Sequence, residues 1–323
     1  MLSESDPGMA VVTAMKSKRE KRFRLTYRQA ESLTGFVMAA PWILGFLFFV
    51  AGPMIASLYL AMTRWDIFTA PKYLGLENFQ VLLTDDNLFW KSFRVTTLYA
   101  VFSVPLQIAV GLGLAQLLNQ KIRLLGMFRS IYYLPSVLSG VSIAIMFRWI
   151  FGTQYGLLNA VLGILGVEKV SWLGNPNIVL ISFILMSIWG SGANMLIYLG
   201  ALQGVPTELY EAAEVDGAGS FRKFFKITVP MITPVIFFTL INGIIVSLQE
   251  FQTPFILTDG GPADSSLFIV LYLYRNAFQW FKMGYASAIA WIIFIYVLVL
   301  SILVIRSSQA WVYYEGSLRG RGG

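Results

Sequence analysis

Long apolar runs, separated by short charged clusters, set the pattern of this chain. Six windows contain no Asp, Glu, Lys or Arg. They run from Gly35 to Thr63; between Arg94 and Lys121, with an apolar core from Val95 to Leu118; and between Arg129 and Arg148. The rest lie between Lys169 and Glu208, apolar from near Ile178; between Lys226 and Glu250; and between Lys282 and Arg306. A helix rises about 1.5 Å per residue, so about 20 apolar residues cross a bilayer core. Every window is long enough, the third only just. One such run could be the buried helix of a soluble domain, but six in succession predict an all-α integral membrane protein with six transmembrane helices and no β-sheet. Pro41, Pro53, Pro105 and Pro135 fall in or at the ends of these windows, where neighbouring helices re-satisfy the freed backbone. Gly111, Gly113 and the pair Gly190/Gly192 would allow close helix approach.

Composition supports lipid as the solvent: 57% of residues are hydrophobic and 13% charged, against about 25% charged in soluble domains. The net charge of +7 could point to nucleic acid, but the basic residues sit at the window edges, which makes them a topology signal and leaves no nucleic-acid partner. Lys16, Lys18, Arg19, Lys21, Arg22, Arg24 and Arg28 precede the first window. Lys121, Arg123 and Arg129 follow the second, Arg222, Lys223 and Lys226 the fourth, and Arg306, Arg319 and Arg321 the sixth. The opposite loops carry fewer. Both termini are therefore expected in the cytoplasm. Trp65, Trp90, Trp149, Trp172 and Trp280 fall near the outer boundaries, where an aromatic belt or ordinary packing would place them. The first window is far longer than the apolar stretch of a cleaved signal peptide. The expected organisation is a basic tail over 1–34, a membrane domain over 35–305 and a tail over 306–323.

The chain has no Cys and no His. That removes disulfides, thiolate metal sites and His acid-base chemistry. An intramembrane enzyme would need Ser/Lys, paired Asp or a carboxylate-bound metal. Asp85/Asp86 lie in an outer loop and read as solvated surface residues. No G-x-x-x-x-G-K-[ST] phosphate loop occurs, so any ATP-derived energy must come from a partner.

The loop over 204–230 is the most informative. It reads as two short helices with a bend. Pro206 suits a first helical turn. Glu208 and Glu211 follow where the helix dipole favours negative charge. Gly217 and Gly219 break the helix, and Ser220 suits the cap of a second, which should end before Pro230. Ala212 and Ala213 would allow another protein close. On the residues alone, a solvated connector and a docking helix both fit.

The sequence Glu211-Ala212-Ala213, three residues, Gly217, nine residues, Ile227-x-Val229-Pro230 resembles the EAA signature of permease subunits of binding-protein-dependent ABC importers. Val229 in place of Leu is the single departure. From about residue 35 onward the chain is similar to the carbohydrate-uptake group, the maltose- and glycerol-phosphate-permease-like proteins. Supporting stretches are Gly75-Leu76-Glu77-Asn78-Phe79, Phe128-Arg129 with Leu134-Pro135, Leu257-Thr258-Asp259-Gly260-Gly261-Pro262 and Gly284-Tyr285-Ala286. The resemblance implies a type I importer permease in a bacterial or archaeal cytoplasmic membrane. It implies a coupling helix that docks into a separate ATPase subunit, with ATP and Mg bound there and no cofactor on this chain. It implies a second, different permease subunit, an extracytoplasmic solute-binding protein, and alternating access driven by ATPase closure. Glu211, Ala212, Ala213, Asp216, Gly217, Ala218, Ile227 and Pro230 are the expected coupling residues.

Counting helical rise from Val205 and from Met231 puts Asn194 and Asn242 about 17 Å above the cytoplasmic ends. Trp189, Gly190 and Ser247 fall about 24 Å up, with Gln249 and Glu250 nearer the outer mouth. Amides offer both donors and acceptors, and a Trp face packs on a sugar ring. In the family the same two helices line the solute path, so these seven residues are the expected route of a sugar or oligosaccharide. Asn194 and Asn242 could equally hydrogen-bond between helices. No Lys or Arg lies at this depth, which disfavours a phosphorylated solute. An ion-coupled secondary transporter is the alternative, but such proteins place ionisable residues mid-membrane, and the window centres carry none.

Overall fold

The computed structural model describes residues 26–120 and 123–313. The basic positions Lys16, Lys18, Arg19, Lys21, Arg22, Arg24, Lys121, Arg319 and Arg321, and most of both expected tails, lie outside the described residues. The chain divides into two compact units, Met1–Ala56 and Ser57–Gly323.

In the first unit, α1 (Tyr27–Phe46) passes through a π turn (Leu47–Ala51) into α2 (Gly52–Ala61), which runs on past the unit's end. The span Thr34–Ala61 is apolar on every side and its most apolar window has no buried residue, the pattern of a helix solvated by lipid.

The second unit is mostly helical. A short antiparallel pair, β1 (Thr63–Arg64) with β2 (Lys72–Tyr73), precedes α3 (Glu77–Thr84). The expectation of no sheet is corrected by this one pairing of two residues each, which closes an extended loop. Next come α4 (Asn87–Leu118), α5 (Leu125–Val137), α6 (Gly140–Ile150), α7 (Leu157–Ile164), α8 (Val179–Trp189) and α9 (Gly192–Gln203). Then follow α10 (Thr207–Val215), α11 (Ser220–Lys223), α12 (Val229–Met231), α13 (Thr233–Leu248), α14 (Gln252–Leu257), α15 (Ile269–Tyr274) and α16 (Met283–Trp311). Among the described residues four spans are long and apolar enough to cross a membrane, and six if each of two bent pairs counts as one. The bent pairs are α5 with α6, at 100°, and α8 with α9, at 47°.

The third and fourth windows are therefore not straight crossings. Leu138 and Ser139 take extended ψ values of 148° and 134°, and Pro135 in the preceding turn has no N–H to continue the ladder. In the fourth, the ladder stops at Gly190 and restarts at Gly192. The fifth differs too. The helix resumes after Glu250 as α14, so the candidate span runs Thr233–Leu257 and encloses Glu250 instead of ending there.

α4 is the central element, packed by α8, α9, α13 and α15. Ala115 and Leu118 join Met195, Tyr198, Leu199, Leu202, Val205 and Ile232 in one buried cluster. Of the glycines expected to admit close approach, Gly111 meets Asn194 and Tyr198, within 3.3 Å of where a Cβ would stand, and Gly192 seats on the backbone of Tyr132. Gly113 and Gly190 do not act this way: a Cβ on Gly113 meets nothing, and one on Gly190 only the carbonyl of Ser187. Tyr198 and Thr239 hydroxyls, 2.6 Å apart, tie α9 to α13.

Asp86 is not the solvated surface residue its loop position implied. One carboxylate oxygen accepts the Phe89 N–H at 2.9 Å and caps α4. The other accepts the hydroxyls of Tyr272, at 2.6 Å, and Tyr285. The start of α4 is thus pinned at one carboxylate to two successive helices far along the chain, α15 and α16. Burial, with Asp86 alongside, pushes the Tyr272 hydroxyl well above the usual phenol range, so it stays a donor at any physiological pH. Asp86→Ala should lose about 1 kcal/mol for the cap and about 1–3 kcal/mol for each hydroxyl stranded. Thermal melts in detergent check this against Asp85→Ala, which removes an exposed neighbour and should melt like the parent; equal melts would show the clasp to be idle.

Candidate functional site

Two places in the second unit gather the expected residues. The first is the loop over 204–230. Pro206 is the N-cap of α10, one position before the first helical turn expected of it, with Thr207 opening the helix. At the other end the Ala218 N–H donates to the Ala213 carbonyl at 2.8 Å and the Gly217 N–H to the Glu214 carbonyl at 3.0 Å. Gly217 sits at φ +71°. This pair of bonds closes a Schellman cap, with Ala213 three positions inside the helix and Gly217 in the left-handed position just beyond it. The four-residue step from Ala213 to Gly217 is therefore also a backbone requirement of the turn.

Gly219, not Ser220, caps α11, with an extended ψ of 163° and no side-chain bond. The helix does not stop before Pro230: a π turn (Phe224–Thr228) carries the chain into α12, where Pro230 occupies the first turn. Lys223 bonds Glu214 at 2.6 Å and joins α11 to α10. The lysine holds the Glu214 carboxyl below its ordinary range. That exposed contribution is small, is present at neutral pH and fades as pH falls through the lowered value. The Tyr210 and Thr228 hydroxyls meet at 2.9 Å.

Within this loop the expected coupling residues divide. Ile227 packs against the buried cluster of Leu202, Val205 and Ile232, so it anchors the loop. Pro230 is half-buried, and Ala213 and Ala218 are partly exposed. Glu211, Ala212, Asp216 and Gly217 are exposed. Beside them Val215 is 90% exposed and Phe221 78%. Both are apolar side chains left exposed in an otherwise charged segment.

The second place is a cavity of about 260 Å³ where the breaks meet. Tyr99 and Gln107 of α4, Gly140 and Ile143 of α6, and Phe183, Met186, Ser187 and Trp189 of α8 form one side. Gly190, then Gly243, Val246 and Ser247 of α13, and Glu250, Gln252 and Thr253 complete it. Trp189, Gly190 and Ser247, counted to one depth, do meet here, and Glu250, counted nearer the outer mouth, joins them. The amides do not. Asn194 is half-buried against Gly111 on α4, and Asn242 is exposed with its amide on the Phe238 carbonyl at 2.9 Å. Neither lines the cavity, and neither does Gln249, which is also exposed. Sequence reasoning missed Tyr99, Gln107, Gln252 and Thr253. The signal for the first two was a polar stripe on an otherwise apolar helix, Tyr99, Ser103 and Gln107 at four-residue spacing.

A helical membrane chain with paired broken helices around a small cavity of mixed apolar and polar lining, and a capped, exposed helix pair, has the build of a transporter's membrane subunit. Residues 107–312 match the family described as binding-protein-dependent transport system inner membrane component, and the chain belongs to that family. It is a multi-pass permease subunit without a catalytic site of its own, which sets aside both an ion-coupled carrier and an intramembrane enzyme. The chain is 41% identical to the probable ABC transporter permease protein YesP of Bacillus subtilis, over 94% of this chain and 96% of that one. It is 34% identical to the lactose transport system permease protein LacF of Rhizobium radiobacter, over 87% and 95%. It is 33% identical to the trehalose/maltose transport system permease protein MalF of Thermococcus litoralis, over 88% and 95%. The fold is that of a chain in a bacterial ABC transporter for import of the acidic polysaccharide alginate, with TM-score 0.73, 25% identity, and 87% and 96% coverage.

Proposed function

We propose that this chain is one permease subunit of an ATP-driven importer of a sugar or oligosaccharide. The observation that carries the reading is the cavity at the helix breaks. It combines an aromatic ring, Trp189, with hydroxyl and amide groups on Ser187, Ser247, Thr253, Gln107 and Gln252. Such a lining suits a solute that is apolar on its ring faces and hydrogen-bonding around its edge. The names of the lactose and trehalose/maltose relatives support the same class.

The rest of the assembly follows from the family. A separate ATPase, holding ATP and Mg, docks on α10 and its turn through Glu211, Ala212, Ala213, Asp216, Gly217 and Ala218, while Ile227 and Pro230 seat that surface. A second, different permease completes the path. An extracytoplasmic binding protein delivers the solute; a neighbour of the same fold was solved with an alginate pentasaccharide-bound periplasmic protein. Both termini and the α10 loop face the cytoplasm of a bacterial or archaeal cell. Because the chain has no Cys, single cysteines report orientation directly: one at Asp264 should react with an impermeant thiol reagent from outside and one at Arg222 should not.

Asn194 and Asn242 would extend the path from the cavity toward the coupling loop. The test is uptake by the reconstituted complex across a panel of neutral mono- and oligosaccharides. Trp189→Ala and Ser247→Leu should each cut uptake at least about tenfold, a change of about 1.4 kcal/mol, with assembly and basal ATPase activity retained. Asn194→Leu and Asn242→Leu should impair it less. Unchanged uptake in the first two would move the path elsewhere.

A further inference from the structure

Glu250 is the one acidic residue in any of the candidate spans. It stands in the break between α13 and α14, half-buried, with one carboxylate oxygen accepting the Thr253 N–H at 2.9 Å. It lines the cavity. No Lys or Arg lines that cavity, and among the described residues no cation pairs with Glu250; the ion pairs there are Arg64 with Glu77, Lys223 with Glu214 and Arg275 with Asp259. A carboxylate inside an apolar span is costly to keep and marks a functional position. Here its neighbours hold it without neutralising it.

The same fold serves an importer of an acidic polysaccharide, so the architecture leaves solute charge open and the lining must decide it. An anionic group brought beside an unpaired carboxylate in a site of low dielectric is repelled far more strongly than in water. Hydroxyls of a neutral sugar instead find an acceptor there. Resting on the sugar reading above, we infer that Glu250 is a specificity-determining residue that admits neutral sugars and rejects uronates and other acidic sugars at the translocation cavity. This selection is carried by the permease itself, whatever its binding protein selects.

The test measures binding to the intact permease–ATPase complex in nanodiscs, without the binding protein, by equilibrium dialysis. The probes are neutral di- and trisaccharides and uronate oligomers of the same lengths. The parent should bind at least one neutral probe and favour it over every uronate by at least about tenfold, 1.4 kcal/mol by conversion. Glu250→Gln should erase that preference by tightening uronate binding at least about tenfold, while neutral binding weakens or holds, since the amide keeps one weaker acceptor for sugar hydroxyls. Gln107→Lys, which adds a cation across the cavity and leaves Glu250 in place, should also admit uronates, and it keeps the test alive if Glu250→Gln fails to assemble. Uronates bound by the parent as tightly as neutral sugars would overturn the inference while leaving the sugar reading intact. So would equal shifts in both panels for both variants. Binding of neither panel by the parent would defeat the sugar reading and this inference together.

Discussion

Gly217→Trp is expected to abolish solute-stimulated ATPase activity and uptake, while Gly217→Ala keeps most of both. The difference separates two demands on one residue. Gly217 adopts φ +71° to close the cap on α10, and any L side chain there costs about 1–2 kcal/mol. Both variants carry that cost. A Cβ at Gly217 meets no atom of the described chain within 4 Å and the position is exposed, so an indole there can extend outward, where a partner would meet it. Membrane insertion and the folded fraction should therefore be alike in the two. Co-purification of the ATPase and stimulated activity should fall more than tenfold further in Trp than in Ala, at least about 1.4 kcal/mol of lost coupling. If Trp behaves like Ala, the turn is a structural cap and the docking surface lies elsewhere. Val215→Asp gives a second view: 90% exposed, it contributes little to this chain's own packing, and a charge there should matter only where a partner covers it.

The sequence made the membrane class, the apolar windows and the helix–turn–helix form of the 204–230 loop legible, because each depends on local composition or on a fixed spacing. Windows free of charge need no tertiary information to be seen, and the Ala213-to-Gly217 step is local by construction. The helix breaks were not legible. Gly190 and Ser139 each look like an ordinary small residue in an apolar run, and only packing decides whether the ladder continues through them. Asn194 lies on the near side of the bend, within unbroken α9, so a count from Val205 gives its depth but not its direction, and it packs against Gly111 on α4 and not in the cavity. Glu250 was misjudged for a related reason: a charge was taken to end a span, yet Gln252–Leu257 continues it. Asp86 was misread because its two tyrosine partners lie 186 and 199 residues away, and no local pattern announces such a meeting.

Gly192→Ala is expected to be the most damaging single methyl in the described chain apart from other backbone seats of the same kind, such as Gly284. Gly192 opens α9 directly after the break, and it is buried. A Cβ there would stand 1.8 Å from the carbonyl oxygen of Tyr132, 2.7 Å from its carbonyl carbon and 3.2 Å from the Cα of Tyr133. Those are backbone atoms of α5, so no rotamer change relieves the clash, and one helix must move away from the other. Ordinary overpacking costs about 1–3 kcal/mol; a clash with backbone on both sides should reach or exceed the upper end. The displacement would not stay local. Met195, Tyr198 and Leu199 on the same helix are buried against Ala115 and Leu118 of α4, and Trp189 and Gly190 on the other side of the break form part of the cavity wall. Gly192→Ala should therefore lower both the folded yield and the melting temperature in detergent, and reduce uptake in whatever fraction survives. Gly200→Ala is the control, since it lies on the same helix and its Cβ meets nothing within 4 Å. Ala outperforms Gly in a helix by about 0.5–1 kcal/mol, so that variant should melt at or slightly above the parent. Equal melting of the two variants would mean that α9 does not rest on α5 at Gly192, and that the crossing of the two bent pairs is looser than the backbone contact requires.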